Sequence, residues 1–193
     1  MDFFKKTFPD VIPLMPTLRH DYFANPSSSL AIVRCFPWSV SDKLLLIGDA
    51  AHAIVPFYGQ GMNCGFEDCL NFFYFFDDNK EDWTTTIPQF EKIQKPNAHA
   101  IAEMAIENWT EMRDKVGDTK FLFRKKVETF LEKIFPKLFK SRYGMVTYTM
   151  NPYAIAREVG KIHDQILGNI CEKTNSIEEI SITQVEKLLE SYL

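Results

Sequence analysis

The chain has 193 residues, 46% hydrophobic and 25% charged, a size and balance that allow one sizeable core and exclude wholesale disorder. A net charge of -4, with only short basic runs such as Arg124-Lys125-Lys126, excludes the clustered basic surface that a nucleic-acid partner requires. The four cysteines (Cys35, Cys64, Cys69, Cys171) lack CxxC or Cys/His ligand spacing, so neither a metal site nor a disulfide framework is expected and a reducing, cytoplasmic setting is the default.

Residues 1 to 29 hold four of the ten prolines and the tract Asn25-Pro-Ser-Ser-Ser29, which predicts short elements joined by turns. The first six residues lack the charged start and apolar stretch of a secretory signal. Leu30 to Phe36, β-branched at its centre, predicts a strand, and Trp38 to Asp42 a turn. Lys43 to Ile47 predicts a second strand, apolar on both faces and so expected to be covered on both sides. Such a strand needs neighbours, and few further candidates follow. A self-associating strand edge is therefore expected.

Beyond Met62 the periodicity is helical. Met62 to Asp77 is apolar nearly all round, as in a helix packed inside a protein. Thr84 to Gln94 and Pro96 to Val116 read as two helices, with Pro96 at a first turn. Phe123, Val127, Phe130, Leu131 and Ile134 mark another, ended near Pro136. Asn151-Pro152 caps a helix running to about Cys171, and Ser181 to Leu193 is a short amphipathic tail. No apolar run approaches the roughly 20 residues of a membrane-spanning helix. The glutamates of Ser176 to Leu193, such as Glu178, Glu179 and Glu190, argue against a membrane anchor there.

Leu44 to Asp68 is the segment densest in residues that chemistry would select. An apolar strand ends in Gly48-Asp49, a loop carries Pro56, Gly59, Gln60 and Gly61, and a helix opens at Met62-Asn63. Ligands of open α/β sheets bind at the carboxyl ends of strands, where the Asp49 carboxylate can accept hydrogen bonds from a polyol, although it could instead cap a turn. The free N–H groups and positive end of the following helix attract an anion or a carbonyl-rich ring. Pro56 stiffens the loop. His52 has no nucleophile at elbow spacing and reads as structural, and Glu67 and Asp68 read as carboxylates favouring the helix dipole. Asn108 shares a helix face with Ile101, Ala105 and Met112, and such an amide needs a partner, either a ligand or neighbouring backbone.

Gly48-Asp49-Ala-Ala-His52, Pro56, Gly59-Gln-Gly-Met-Asn63, Gly65 and Glu67-Asp68 resemble the second FAD motif of the single-component flavoprotein aromatic hydroxylases. Phe8-Pro-Asp-Val-Ile-Pro13, Asn108-Trp-Thr-Glu-Met-Arg113 and Arg142-Tyr-Gly-Met-Val-Thr147 extend the likeness over most of residues 8 to 150, nearest to members acting on an aromatic amino acid. The resemblance implies an α+β fragment of a glutathione-reductase-like FAD-binding α/β fold: a few strands at the N-terminal end, then mostly helices. Residues 1–42 would end the substrate-domain strands, 43–80 would carry the cofactor motif, and 81–193 would form a C-terminal helical region.

It also implies FAD as cofactor, NADPH as reductant and hydroxylation of a small aromatic amino acid with dioxygen. Gly48, Asp49, Pro56, Gly59, Gln60, Gly61, Met62 and Asn63 would hold the cofactor, with Asp49 at the ribityl chain. Asn108 and Tyr143 would hold the substrate, with Phe57 and Tyr58 walling the space beside the ring or simply packing the core. No residue here is assigned as a catalytic acid, base or metal ligand, because the flavin carries the reactivity.

The family's Gly-x-Gly-x-x-Gly loop, where pyrophosphate affinity resides, does not occur in the 193 residues. The chain therefore resembles the C-terminal portion of such an enzyme. A dinucleotide-binding half is expected from the same gene product or a partner chain, and FAD affinity should be weak without it. A non-catalytic remnant or binding module is the alternative, as is a hydroxylase of another aromatic acid. Some family members attach to the mitochondrial outer membrane, the other setting the resemblance admits.

Overall fold

The computed structural model describes residues 1–192, and Leu193 at the end of the tail lies outside them. Residues Met1–Leu30 and Ala31–Leu193 form two compact units. In the first, helix α1 (Asp2–Thr7) and helix α2 (Leu18–Ala24) flank a 3-10 turn at Ile12–Leu14. Aromatic contacts hold this unit together: Phe4 meets Tyr22 edge-on at 6.1 Å and Phe8 at a tilt at 6.5 Å between ring centres. No strand forms in it: the two longest proline-free stretches, 1–8 and 17–25, are taken up by α1 and α2.

In the second unit the expected pair of long strands is not present among the described residues. Leu30 to Cys35 is irregular, and only Ser39–Val40 (β1) and Leu44–Leu45 (β2) pair, as an antiparallel two-stranded hairpin. A strand gains stability from neighbours, and Lys43 to Ile47 meets only this one. Nor is it covered on both faces: Leu44 and Ile47 are exposed. Single bonds tether the remaining extended backbone, Val33 N–H to the Ala53 carbonyl and Leu46 N–H to that of Trp38.

Helices fill the rest. A short α3 (Asp49–His52) and a 3-10 turn (Pro56–Tyr58) lead into α4 (Gly61–Asp78). Helix α5 (Trp83–Asp114) is a single helix of 32 residues, not the expected pair, and contains both Pro88 and Pro96. Each interior proline removes a helix hydrogen bond, about 3 kcal/mol or more in cost. Burial of Ile87, Phe90, Ile101 and Met104 along one face offsets that cost. Asp82 caps the helix by accepting from Thr84 N–H at 3.1 Å.

Helix α6 (Thr119–Ile134), the unforeseen α7 (Arg142–Tyr148), α8 (Tyr153–Lys173) and α9 (Ile182–Glu190) complete the unit. Helix α5 is central, packing on both α4 and α8. Three apolar clusters follow from this. Trp38, Ala51, Phe90 and Ala98 bind the hairpin to α5, while Cys64, Ile101, Met104, Met145 and Tyr153 join α4, α5, α7 and α8. Val127, Leu131, Ile166, Leu167 and Leu189 tie α6, α8 and α9 into a third cluster. No helix among the described residues is long and apolar enough to cross a membrane.

Candidate functional site

The glycine loop is built from the end of β2 outward. Gly48 has φ 57° and ψ -142°, a backbone state essentially restricted to glycine, and it turns the chain directly into α3. Its N–H donates to Asp68 Oδ2 at 2.8 Å. The same oxygen lies 2.6 Å from His52 Nε2, and Gln94 Nε2 donates to Asp68 Oδ1 at 3.2 Å. Asp68 is 2% exposed and His52 4%, so this carboxylate is a buried hub joining strand end, α3, α4 and α5. The dipole role expected for Asp68 is thereby replaced by a structural one, and His52 is structural as expected. Asp49 itself, the first residue of α3, is exposed.

Pro56 opens the 3-10 turn, and Gly59 closes it in the left-handed region at φ 67°. A Cβ on Gly59 would meet nothing within 4 Å, so space stands open over the loop. The first intrahelical bond of α4 is Cys64 N–H to the Gln60 carbonyl at 2.9 Å. The N–H groups of Gly61, Met62 and Asn63 therefore precede any helix partner and lie at the positive end of an 18-residue helix. Buried Gln60 is fixed by two donors to its side-chain oxygen, Asn63 Nδ2 at 2.8 Å and the Tyr153 hydroxyl at 3.2 Å. Open glycine backbone, free N–H groups and an exposed carboxylate are the donor and acceptor set that an isoalloxazine with a ribityl chain requires. The residues present fit that group.

Alongside α4 lies a cavity of about 310 Å³ lined by Gln60, Asn63, Phe66, Glu67, Thr147 and Tyr153, among others. Burial, with the neighbouring charge of Asp68, pushes the Glu67 carboxyl above the usual range. Burial also pushes the Cys64 thiol up to about 12 and raises the Tyr153 hydroxyl.

The four expected substrate residues come together on the other side of the loop. Asn108 Nδ2 donates to the Phe57 carbonyl at 2.8 Å and to Met112 Sδ at 3.7 Å. The rings of Tyr58 and Tyr143 stack at 5.7 Å and 27°, and Phe57 lies 5.8 Å from Trp109. Tyr58, Asn108 and Tyr143 line one cavity of about 40 Å³, whose wall also carries Arg142, Glu111 and Lys125. Burial pushes the Tyr58 hydroxyl up to about 12. Sequence reasoning missed Arg142, although it heads the Arg142-Tyr-Gly-Met-Val-Thr147 segment, and missed the hub role of Asp68. Their partners lie far away along the chain, beyond the reach of any local pattern.

Residues 34–76 match the family model described as FAD binding domain. Over 99% of its length the chain is similar to kynurenine 3-monooxygenase of Dictyostelium discoideum, at 44% identity, covering 45% of that protein. It is 43% identical to the Myxococcus xanthus kynurenine 3-monooxygenase over 99% of the chain and 41% of the relative. With that of Flavobacterium johnsoniae it shares 44% identity over 98% of the chain and 43% of the relative. The chain thus spans less than half the length of these relatives.

Proposed function

We infer that the chain is the isoalloxazine-side and substrate-side part of an FAD-dependent aromatic hydroxylase of the kynurenine 3-monooxygenase kind, converting L-kynurenine to 3-hydroxykynurenine. The observation that carries this reading is the meeting of Asn108 with Phe57, and of Tyr143 with Tyr58, across one cavity on the loop that leads into the α4 N-terminus. When bound, FAD takes electrons from NADPH and delivers oxygen from dioxygen to the aromatic ring.

The chain's own groups then have distinct tasks. The N–H groups of Gly61, Met62 and Asn63 would stabilise negative charge on a bound flavin, and the Asp49 carboxylate would accept from its hydroxyl groups. Gly48, Pro56, Gly59 and Gln60 hold the loop in the shape that leaves these groups open. Phe57 and Tyr58 exclude water from the reacting space. Both N–H bonds of the Asn108 amide are engaged, by Phe57 and Met112, which leaves its oxygen as the group offered to a ligand. An oxygen acceptor suits an amino group, and kynurenine carries two.

The fold reading extends the same way. A glutathione-reductase-like sheet completed by a dinucleotide-binding half would cover the exposed side chains of Met62, Phe66, Leu70 and Phe73 along α4 and the free edge of β2. The divisions 1–42, 43–80 and 81–193 describe the parts such an assembly would join. Unassembled, those surfaces favour self-association.

The test is complementation. The chain is coexpressed with the dinucleotide-binding half of the Dictyostelium discoideum relative, and flavin content and NADPH-dependent kynurenine hydroxylation are measured. Flavin retention with 3-hydroxykynurenine formation is expected from the assembly, and neither from the chain alone. Stoichiometric FAD on the isolated chain would overturn the half-site reading. Flavin retention with no turnover of kynurenine would favour a non-catalytic module or another aromatic acid.

A further inference from the structure

Six side chains of alternating sign form an unbroken ladder across α5, α6, α7 and α8. Arg157 bridges Glu103 and Glu107, and Arg142 bridges Glu107, at 2.5 Å, and Asp164. Arg124 closes the far end on Asp164 at 2.7 Å. Partly exposed ion pairs contribute little to stability singly, about 0–1 kcal/mol, so the ladder's position matters more than its strength.

Arg142 is its most enclosed member, with its side chain 19% exposed. It crosses α8 at Gly160, where an added Cβ would stand 2.9 Å from Arg142 Nε and 3.0 Å from its Cγ. Any larger residue there would displace the guanidinium. Its Nε is buried without a partner, so one donor is given up while the other two nitrogens span acceptors on different helices.

Helix α7 has seven residues, too few to hold itself, and Ser141 caps it by accepting from Gly144 N–H at 3.0 Å. Arg142 is its first residue and is followed directly by Tyr143, while its partner Glu107 directly precedes Asn108. The clamp therefore joins the immediate neighbours of the two substrate residues.

We propose that Arg142 is a positioning residue: by spanning Glu107 on α5 and Asp164 on α8, across the space that Gly160 leaves, it sets the separation of Tyr143 from Asn108 and so the fit of the aromatic substrate. This rests on the reading of Asn108 and Tyr143 as substrate-binding.

The test uses Arg142→Gln and Gly160→Ala, the second displacing the guanidinium without removing charge, with Arg124→Gln as an outer-rung control. On the chain itself, hydrogen exchange of the 144–147 amides is followed. In the assembly with a dinucleotide-binding half, kynurenine kinetics and NADPH consumed per hydroxylated product are measured. Both inner variants should speed exchange of those amides about tenfold, with α8 amides beyond Ile166 unchanged. They should raise KM about tenfold with kcat within about threefold, and raise NADPH consumed per product. Arg142→Lys, which can reach one partner, should recover part of the KM, and Arg124→Gln should match the unsubstituted chain.

Unchanged exchange in both inner variants overturns the proposal. So does faster exchange with unchanged KM, or a loss that Arg124→Gln shares equally with melting temperature, the mark of a merely structural role. An unsubstituted assembly that binds flavin yet ignores kynurenine defeats the substrate reading instead, and the exchange measurement still decides the clamp.

Discussion

His52 Nε2 lies 2.6 Å from Asp68 Oδ2, and both side chains are buried beneath the glycine loop. Asp68 also accepts from Gly48 N–H and Gln94, so one carboxylate holds four segments. Asp68→Ala leaves several buried donors unpaired and should cost about 3–5 kcal/mol, against about 1–3 kcal/mol for Asp68→Asn, which keeps an acceptor. Urea unfolding of the two variants checks this. Equal, small losses would remove Asp68 from its hub role.

The two glycines facing each other below the loop should respond in opposite directions. Gly48→Ala forces φ 57° and ψ -142° on a residue with a Cβ, at a cost of about 1–3 kcal/mol. The added Cβ would lie 3.7 Å from Gly65 Cα, an ordinary contact, so the penalty is one of backbone conformation and not of space. Gly65 sits within α4, and its Cβ would be 3.9 Å from Gly48 Cα. Gly65→Ala should therefore be neutral or stabilise by up to about 1 kcal/mol. Thermal melting of both variants tests the contrast.

The sequence made the helices legible and most of the sheet not. Periodicity of 3.6 is local, so α4, α6 and α8 emerged within a few residues of their ends, whereas strand formation from Leu30 to Phe36 depended on partners that the pattern cannot supply. Pro96 suggested a break that tertiary packing overrides. In the site, the glycine loop and the Asn108 helix face were readable as local chemistry. Asp68 and Arg142 were not, because their partners stand 20 and 26, and 35 and 22, positions away.

Stability should fall in alkali. Burial raises the Cys64 thiol from 9.0, and the Tyr58 hydroxyl from 10.0, to about 12 in the folded chain. Above pH 9 the unfolded chain releases these protons while the folded chain retains them, so the unfolded state binds fewer and the free energy of unfolding declines as pH rises. Melting temperature should be flat for these groups below pH 9 and drop from there towards pH 12. Tyr58→Phe should lessen the part of that drop beginning near pH 10. An unaltered profile in this variant would contradict the assignment.

Phe90, a fully buried side chain of α5, packs 6.3 Å from Trp38 beside the hairpin and 5.7 Å from Phe72 of α4 between ring centres. Phe90→Ala should cost about 3–5 kcal/mol through lost burial and the cavity left behind. Phe90→Leu should cost less. Denaturant midpoints with unchanged m-values check that the loss lies in the folded core.

Helix α5 carries Gln94, which donates to the buried Asp68 hub, and Asn108, which holds the loop at Phe57. From position 94 to position 108 is 14 residues of unbroken helix, a rise of about 21 Å. Adding or deleting one residue between them would turn Asn108 through about 100° and aim its amide away from Phe57. The two ends of the site are thus keyed to one reading frame of side chains. Substitutions along this interval can be absorbed one at a time, but a change in its length would uncouple the Asn108–Phe57 contact from the Gln94–Asp68 contact in a single step, so length variation belongs in the loops beyond Asp114.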